Sequence, residues 1–210
     1  MRPIFITGIG TDVGKTVIAA IVTESLGAVY WKPVQAGFDQ GTDTEWVGAR
    51  ISGGPERLAK EVYKLRLPAS PHIAAREEDV VISLDKIANE MPSGRPLVIE
   101  GAGGLLVPLN EREFVLDLVR RLDARVILVS RNYLGSINHS LLTAAVCKTY
   151  GLDLAGWIFN GEPSGYEDEI VAWSGVRKIG AVPAATSPDR AFVRHEAARL
   201  QPEILRTFSR

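Results

Sequence analysis

Residues 7–16 decide the fold of this chain, and their sequence is Thr7-Gly8-Ile9-Gly10-Thr11-Asp12-Val13-Gly14-Lys15-Thr16. A short apolar run, residues 3–6, precedes them and predicts a buried strand, and residues 17–26 carry apolar side chains at helical spacing. A strand, a glycine-bearing turn and a helix that opens on Gly-Lys-Thr are the setting of a phosphate-binding loop, or P-loop. The backbone N–H groups of such a turn and of the first helical turn form a concave site for an anion.

The side chains of the loop favour a nucleoside triphosphate as that anion. Lys15 can neutralise the β- and γ-phosphates, and the Thr16 hydroxyl can ligate magnesium. The commonest form of the loop has glycine where this chain has Ile9, which Gly8 and Gly10 flank. Glycines alone would also suit a tight turn without a ligand. A lysine at a helix N-terminus, however, opposes the helix dipole unless an anion is present, so we predict nucleotide binding.

Composition favours one domain over residues 1–210. Hydrophobic residues make up 46% of the chain and charged residues 23%, as in ordinary soluble proteins. The net charge of −1 offers no basic excess for nonspecific binding, so neither nucleic acid nor a membrane is an expected partner. The single cysteine, Cys147, allows no intrachain disulfide and lies in a helical run, where a buried apolar role is favoured. No apolar run approaches membrane-spanning length, so we expect a cytoplasmic protein.

Apolar runs and amphipathic segments alternate along the chain. Strands are predicted over Ile4–Thr7, Ala28–Lys32, Leu97–Glu100, Val126–Val129, Leu154–Phe159 and Lys178–Val182. Helices are predicted over Val17–Leu26, Thr44–Ser52, Leu84–Met91, Phe114–Leu122, Ile137–Tyr150 and from Arg190 onward. We expect Pro202 to interrupt or restart the last helix, and residues 53–79, with their three prolines, to form a loop and short helices. The pattern predicts an α/β fold with a mostly parallel central sheet and helices on both faces.

Polar residues follow three of the predicted strands at their carboxyl ends, where parallel sheets bind ligands: Lys32, Glu100 and Asn160. Glu100 ends an apolar strand and is followed by the glycine-rich residues 101–104. A buried carboxylate is costly without a partner, and magnesium that bridges nucleotide phosphates would supply one. The alternative is a glutamate paired with arginine before a flexible turn.

A second acidic candidate is Asp43, in a Thr-Asp-Thr-Glu run before a helix. As a bare pattern this run is a helix cap, and Asp39 is a competing carboxylate. Pro33 restrains Lys32 to an extended backbone. A lysine at a strand end is usually solvated, although in a phosphoryl-transfer site it could stabilise developing negative charge.

Several motifs together resemble the dethiobiotin synthetase family. They are Thr-Gly-x-x-Thr-x-Val-Gly-Lys-Thr from Thr7, Lys-Pro-Val-Gln-Ala-Gly from Lys32, the Thr-Asp-Thr run, Ser70-Pro71-His72, Glu-Gly-Ala-Gly-Gly from Glu100, Leu-Gly-Ser-Ile-Asn-His from Leu134, residues 156–160 and residues 179–183. Their order and spacing match along essentially the whole chain. The P-loop alone would be weak support for this family, but joined to the other motifs it is specific.

The resemblance implies an ATP-dependent cyclo-ligase of biotin synthesis. Such enzymes convert 7,8-diaminopelargonic acid, carbon dioxide and MgATP into dethiobiotin, ADP and phosphate. One amine captures carbon dioxide as a carbamate, a carbamate oxygen attacks the γ-phosphate, and the second amine closes the ureido ring. Negative carbamate has to meet negative triphosphate, so positive charge and alignment are required.

Site residues follow from the resemblance position by position. Lys15 and Lys32 are the catalytic residues, and the implied magnesium ligands are Thr16, Asp43 and Glu100. ATP would be bound by Thr11, Asp12, Val13, Gly14, Lys15, Thr16, Asp43, Glu100, Gly101, Ala102, Gly103, Asn160, Gly161, Pro183, Ala184 and Ala185. The diamine would be bound by Thr11, Lys32, Ala36, Ser136 and Asn138.

The resemblance also implies a homodimer, in which a helix N-terminus of one subunit holds the substrate's tail carboxylate for the other. Residues 135–138 precede a helix and suit that role, although Ser136 would also serve as a simple cap. One position departs from the family, which often has serine or threonine where this chain has Ala36. Either Thr11 or water replaces the missing hydroxyl, or the diamine binds less tightly.

Other classes of P-loop protein fit the sequence less well. Regulatory ATPases of the cell-division-inhibitor and chromosome-partitioning type carry a second lysine at the position of Gly10. A cobyrinate-type amidotransferase would need a glutaminase domain with a cysteine nucleophile. A non-catalytic ATP-binding regulator is the remaining alternative, and diamine-dependent phosphate release distinguishes the enzyme from it.

Overall fold

The computed structural model describes residues 2–163 and 165–208, so Met1, Ser164, Ser209 and Arg210 lie outside the description. Its strands are β1 (Ile4–Gly8), β2 (Val29–Trp31), β3 (Val34–Ala36), β4 (Leu58–Ala59), β5 (Tyr63–Leu65), β6 (Leu97–Gly104), β7 (Arg125–Arg131), β8 (Leu154–Asn160) and β9 (Lys178–Val182). Its α-helices are α1 (Lys15–Leu26), α2 (Asp43–Gly48), α3 (Pro71–Glu77), α4 (Leu84–Asn89), α5 (Val115–Arg121), α6 (Ser136–Thr149), α7 (Glu167–Ser174) and α8 (Arg190–Phe208).

Seven strands form one sheet in the order β4-β2-β6-β1-β7-β8-β9, and each neighbouring pair is parallel. β3 and β5 form a separate parallel pair. Because parallel strands end at the same edge of a sheet, the P-loop that follows β1 lies beside the carboxyl ends of β6 and β7. The predicted α/β fold with a mostly parallel sheet is confirmed.

Apolar side chains fill both faces of the large sheet. Along β1, Phe5 belongs to one core cluster, whereas Ile4 and Ile6 belong to the other, as expected for side chains that alternate across a strand. Buried residues of α1 and α8 join the cluster of Ile4 and Ile6, and those of α4 to α7 join the cluster of Phe5. Helices therefore cover both faces, as the sequence predicted. In the part of the chain that the structure describes, no helix is long and apolar enough to cross a membrane.

The prediction for residues 53–79 was wrong in part. This segment includes β4, β5, α3 and a single 3-10 turn, and β5 pairs with β3, which the sequence did not indicate either. Both strands have three residues, so they are too short to show an alternating pattern. Their pairing joins Val34 to Tyr63 and Ala36 to Leu65, and this tertiary contact defines them as strands.

Strand β6 was predicted to end at Glu100, but it continues through the glycine-rich residues that follow and ends at Gly104. A Cβ atom on Gly101 would lie 2.6 Å from Cε1 of Phe5, so glycine is required for β6 to pack closely on β1. Gly104 pairs with Gly8 at the start of the P-loop. The glycines thus bring the end of β6 against the P-loop.

Helix α8 continues through Pro202, so the expected interruption was wrong. Proline removes one backbone donor from a helix interior. Leu200 and Ile204, on either side of it, are buried against the core, and this packing stabilises the continuous helix.

Arg57 is a buried cation that ties the end of α1 to the segment before β4. Its guanidinium donates to the backbone oxygens of Thr23, Ala28 and Ser52 at 2.6–3.0 Å, and Nη1 lies 3.1 Å from Oε2 of Glu24. Burial alone would raise the pKa of Glu24, but hydrogen bonds from Ser52 and the Arg57 charge hold it below its ordinary value. Removing one partner of such a pair leaves an uncompensated buried charge.

We expect Arg57→Met to lower the free energy of unfolding by about 3–5 kcal/mol, because Glu24 would lose its buried counter-ion. The matched control is Arg121→Met, which breaks an exposed pair with Asp85 and should change stability by about 0.5 kcal/mol or less. Urea denaturation of both variants measures the difference. Equal losses in the two variants would contradict the prediction.

Candidate functional site

The P-loop is braced by Asn160 at the end of β8, two strands away from β1 in the sheet. Gly14 has φ +91°, in the left-handed region that favours glycine, and a Cβ there would lie 2.0 Å from Nδ2 of Asn160. That Nδ2 atom donates to the Val13 carbonyl at 3.0 Å. Asn160 therefore positions the loop, and residue 14 has to be glycine because any side chain there would collide with Asn160.

Lys15 begins α1 and lies in the loop with 7% of its surface exposed. Its Nζ donates to the Gly10 carbonyl at 2.8 Å. Burial lowers the pKa of Lys15, and the nearby Lys32 charge adds to this effect, whereas the Glu100 carboxylate opposes it. The ammonium group is thus held in a poorly hydrated place, where an anion would interact with it strongly.

Four side chains from separate parts of the chain meet beside the loop. Nζ of Lys32, which follows β2, lies 2.9 Å from Oε1 of Glu100 and also hydrogen-bonds to Oδ2 of Asp43. The Thr16 hydroxyl lies 2.8 Å from Oε1 of Glu100 and 3.1 Å from Oδ1 of Asp43. We call Thr16, Lys32, Asp43 and Glu100 the charge cluster. Burial opposes the charged form of Lys32, but the two carboxylates outweigh it and raise its pKa above the ordinary value.

Glu100 is held from its other side by Tyr30, whose hydroxyl donates to Oε2 at 2.7 Å. Tyr30 is fully buried, and burial together with the Glu100 charge raises its pKa well above the ordinary value. The tyrosine therefore remains a neutral donor. Since Glu100 pairs with Lys32, the alternative of an arginine-paired glutamate before a flexible turn was wrong.

Asp43 rather than Asp39 enters the cluster because of how α2 is capped. The Thr42 hydroxyl accepts from the Glu45 backbone, and the Glu45 carboxylate accepts from the Thr42 backbone, which forms a capping box. The cap needs neither oxygen of Asp43, so its carboxylate is available to Lys32. Asp39 is exposed and lies outside the set of described residues that borders the cleft.

The oxygen atoms of Thr16, Asp43 and Glu100 fit a magnesium ion by type. Magnesium prefers hard oxygen ligands and usually keeps waters or phosphate oxygens among them. In the described ranges no group of three or more His, Cys, Asp and Glu side chains could hold a metal. A metal here would therefore depend on the hydroxyl and on phosphate oxygens as well as on the two carboxylates.

A cleft of about 910 Å³ lies along the P-loop and the charge cluster. The predicted site residues that border it are Thr11, Asp12, Gly14, Lys15, Thr16, Lys32, Ala36, Asp43, Glu100, Ala102, Gly103 and Ala185. The volume is that of a site for a small molecule or nucleotide. The structure thus brings most of the expected ATP, metal and diamine residues to one place.

Other predicted residues lie outside the set of described residues that borders this cleft. For ATP, these are Val13, Gly101, Asn160, Gly161, Pro183 and Ala184. The two residues of α6 that were predicted to bind the diamine, Ser136 and Asn138, do not border the cleft either. Ser136 is buried, its Oγ pairing with the Tyr166 hydroxyl at 3.1 Å, and Asn138 is exposed.

Several residues of the cleft were missed by sequence reasoning, namely Val17, Gln35, Trp46, Pro68, Ala69, Ser70, Pro71, Val107 and Pro188. Gln35 and Ser70 stand inside motifs that were recognised, so those motifs could have indicated them. The Gln35 side chain accepts from the Asp43 backbone at 3.2 Å and so helps place the start of α2. Trp46 belongs to no motif, and only its place on α2 brings it to the cleft.

Comparison with known proteins gives the family. A family model described as an AAA domain matches residues 2–190. An ATP-dependent dethiobiotin synthetase of Cytophaga hutchinsonii is 47% identical over 171 residues, which cover 81% of this chain and 82% of that protein. A protein of the same name from Christiangramia forsetii is 41% identical over 201 residues, which cover 95% of this chain and 96% of that protein.

Solved structures of low identity share the fold. The MinD cell division protein of Aquifex aeolicus superposes with a TM-score of 0.61 at 14% identity, covering 100% of this chain and 98% of that one. A ParA family ATPase from Chlorobium tepidum gives a TM-score of 0.56 at 14% identity, covering 100% and 94%. These likenesses support the P-loop ATPase fold, whereas the sequence relatives define the family. The chain belongs to the ATP-dependent dethiobiotin synthetase family.

Proposed function

We propose that this chain makes dethiobiotin from 7,8-diaminopelargonic acid, carbon dioxide and ATP, and releases ADP and phosphate. The observation that carries the proposal is the convergence of two buried lysines, Lys15 and Lys32, with a P-loop in one cleft. This arrangement supports joining two anions, because the carbamate and the triphosphate repel each other in water and need positive charge between them.

The proposed reaction proceeds in three steps. An amine of the substrate attacks carbon dioxide and loses a proton, which gives a carbamate. A carbamate oxygen then attacks the γ-phosphorus, ADP leaves with the electron pair of the broken P–O bond, and a carbamic-phosphoric anhydride results. The second amine attacks the carbonyl carbon, phosphate leaves, and the amine's proton is lost to solvent as the ureido ring closes.

The lysines would hold the reacting groups in line. Lys15 at the start of α1 would contact the β- and γ-phosphates, as its place in the P-loop supports. Lys32 would neutralise the carbamate and the phosphoryl group as charge develops on them. Its extended backbone before Pro33 and its contacts with Asp43 and Glu100 hold the ammonium group before substrate arrives, so little reorganisation is needed.

Thr16, Asp43 and Glu100 would hold magnesium, and a bound magnesium ion would neutralise charge on the β- and γ-phosphate oxygens. The same carboxylates contact Lys32, so a second cation would share them with the ammonium group. The remaining ATP contacts follow the family. Asn160 at the end of β8 and the backbone of residues 183–185 after β9 would hold the adenine, and Gly161 would also contact ATP.

A homodimer in the cytoplasm completes the proposal. Residues 135–138 at the start of α6 lie outside the residues that border the chain's own cleft, which suits a contribution to the partner subunit's site. Ser136 and Asn138 would then help to bind the substrate's tail carboxylate. A partner-switching regulator is less favoured, since Gly10 stands where such proteins carry their second lysine.

Lys15→Gln should abolish turnover while the fold remains intact, because removing a preorganised charge at the reacting phosphoryl group typically costs ~100-fold or more in rate. Lys60→Gln, at an exposed lysine, is the control and should retain wild-type turnover. Dethiobiotin formation and circular dichroism measure activity and folding. A folded Lys15→Gln protein with wild-type activity would refute the assignment of the P-loop.

Replacing a magnesium ligand should give a different result. Asp43→Asn and Glu100→Gln keep the side-chain shape but remove a negative charge, so each should raise the magnesium concentration that gives half-maximal turnover. Asp39→Asn is the matched control and should leave this titration unchanged. A shift in Asp39→Asn without one in Asp43→Asn would show that the wrong carboxylate was assigned.

Ala36→Ser tests the position where this chain departs from its family. If a hydroxyl has simply been lost, serine should tighten diamine binding by about two- to tenfold, the effect of one neutral hydrogen bond. Calorimetric titration of the diamine, with a nonhydrolysable ATP analogue present, measures this, and affinity for the analogue should stay unchanged. Weaker diamine binding would point to a rebuilt pocket, for which Ser70 in the same cleft offers another hydroxyl.

A further inference from the structure

Trp46 is a half-buried tryptophan on the wall of the nucleotide cleft. It lies on α2, less than one turn after Asp43, and it borders the same cleft as Val17 and Ala185. Trp46 and Val17 also pack against the same core cluster. An indole in this position gives the wall a large apolar surface between polar groups.

Arg50 packs against the Trp46 indole and also hydrogen-bonds to the segment after β9. The Cζ atom of Arg50 lies 3.9 Å from the centre of the Trp46 ring, so the guanidinium covers one ring face. Nε donates to the Pro188 carbonyl at 2.7 Å, and Nη1 donates to the Trp46 carbonyl at 3.0 Å. Pro188 itself borders the cleft. One side chain therefore holds two separate parts of the wall together.

We propose that Trp46 packs against the nucleoside part of the bound nucleotide and that Arg50 is the positioning residue for this contact. The inference rests on the proposed ATP site. With the phosphates at Lys15 and the base near Ala185, the nucleoside has to pass along the cleft that Trp46 borders. An aromatic side chain whose ring is already ordered offers contact area at little entropic cost.

The proposed contact also links the nucleoside to the reacting end of the site. Helix α2 has six residues and carries both Trp46 and Asp43. Asp43 in turn hydrogen-bonds to Lys32 and Thr16. A nucleoside that packs on Trp46 therefore stabilises the position of the helix that supplies a carboxylate to the charge cluster.

Tryptophan fluorescence offers a direct test. Of the four tryptophans, Trp31 and Trp157 are fully buried in the core, and Trp173 on α7 is 59% exposed. A nonhydrolysable ATP analogue should change the emission of the wild-type protein. This change should be lost in Trp46→Phe and kept in Trp173→Phe.

Calorimetry separates the nucleoside contact from the phosphate contacts. Trp46→Ala should weaken binding of the ATP analogue by about five- to a hundredfold, the range for losing an aromatic contact with a base. Binding of inorganic tripolyphosphate to the same variant should stay within about twofold of wild type, and this also shows that the variant is folded. Arg50→Lys should weaken analogue binding in the same selective way, and Trp173→Ala should change neither affinity.

The outcomes distinguish this inference from the proposed function. Equal analogue affinity in the wild type and in Trp46→Ala would overturn the inference and leave the ATP site standing. Parallel losses for the analogue and tripolyphosphate would also overturn it, because the ring would then be a structural support only. Failure of the wild-type protein to bind either probe would instead remove the proposed ATP site, and the inference with it.

Discussion

The buried ammonium group of Lys32 is the interaction on which the rest of the site depends. It lies between the carboxylates of Asp43 and Glu100, in a place where an unpaired charge would be strongly unfavourable. Its partners come from β6 and α2, and Thr16 of the P-loop helix hydrogen-bonds to the same carboxylates. The segment after β2 is thereby joined directly to α2 and β6, and α1 is joined to them through the shared carboxylates.

The charge cluster also explains why glycines are needed where neighbouring segments pack against it. Charge pairing is strong only when β6 approaches β1 closely enough to bring Glu100 beside the P-loop. Gly101 permits that approach, since a side chain there would collide with Phe5. Gly14 has the same role on the other side, where Asn160 of β8 braces the loop. The charge cluster can therefore form only if the parallel strands pack closely together.

The chain shares its fold with MinD and a ParA family ATPase, and it places two buried lysines at the P-loop edge of its sheet. In this chain the second lysine comes from the end of β2 rather than from within the loop, where Gly10 stands. Lys32 borders the cleft, and in the proposed function its charge serves a second substrate as well as the phosphates. This placement suits the joining of two anions, because both must be neutralised at the same point.

Local sequence determined the phosphate-binding turn, most strands of the parallel sheet, the residue types of the site and the family, because these depend on spacing over a few residues. Tertiary structure alone decided that Asp43 contacts Lys32, which residue pairs with Glu100, the pairing of β3 with β5 and the place of Trp46 in the cleft. Each of these depends on contacts between segments far apart in the chain. Asp39 and Asp43 lie four positions apart, but packing brings only Asp43 beside the buried charge of Lys32.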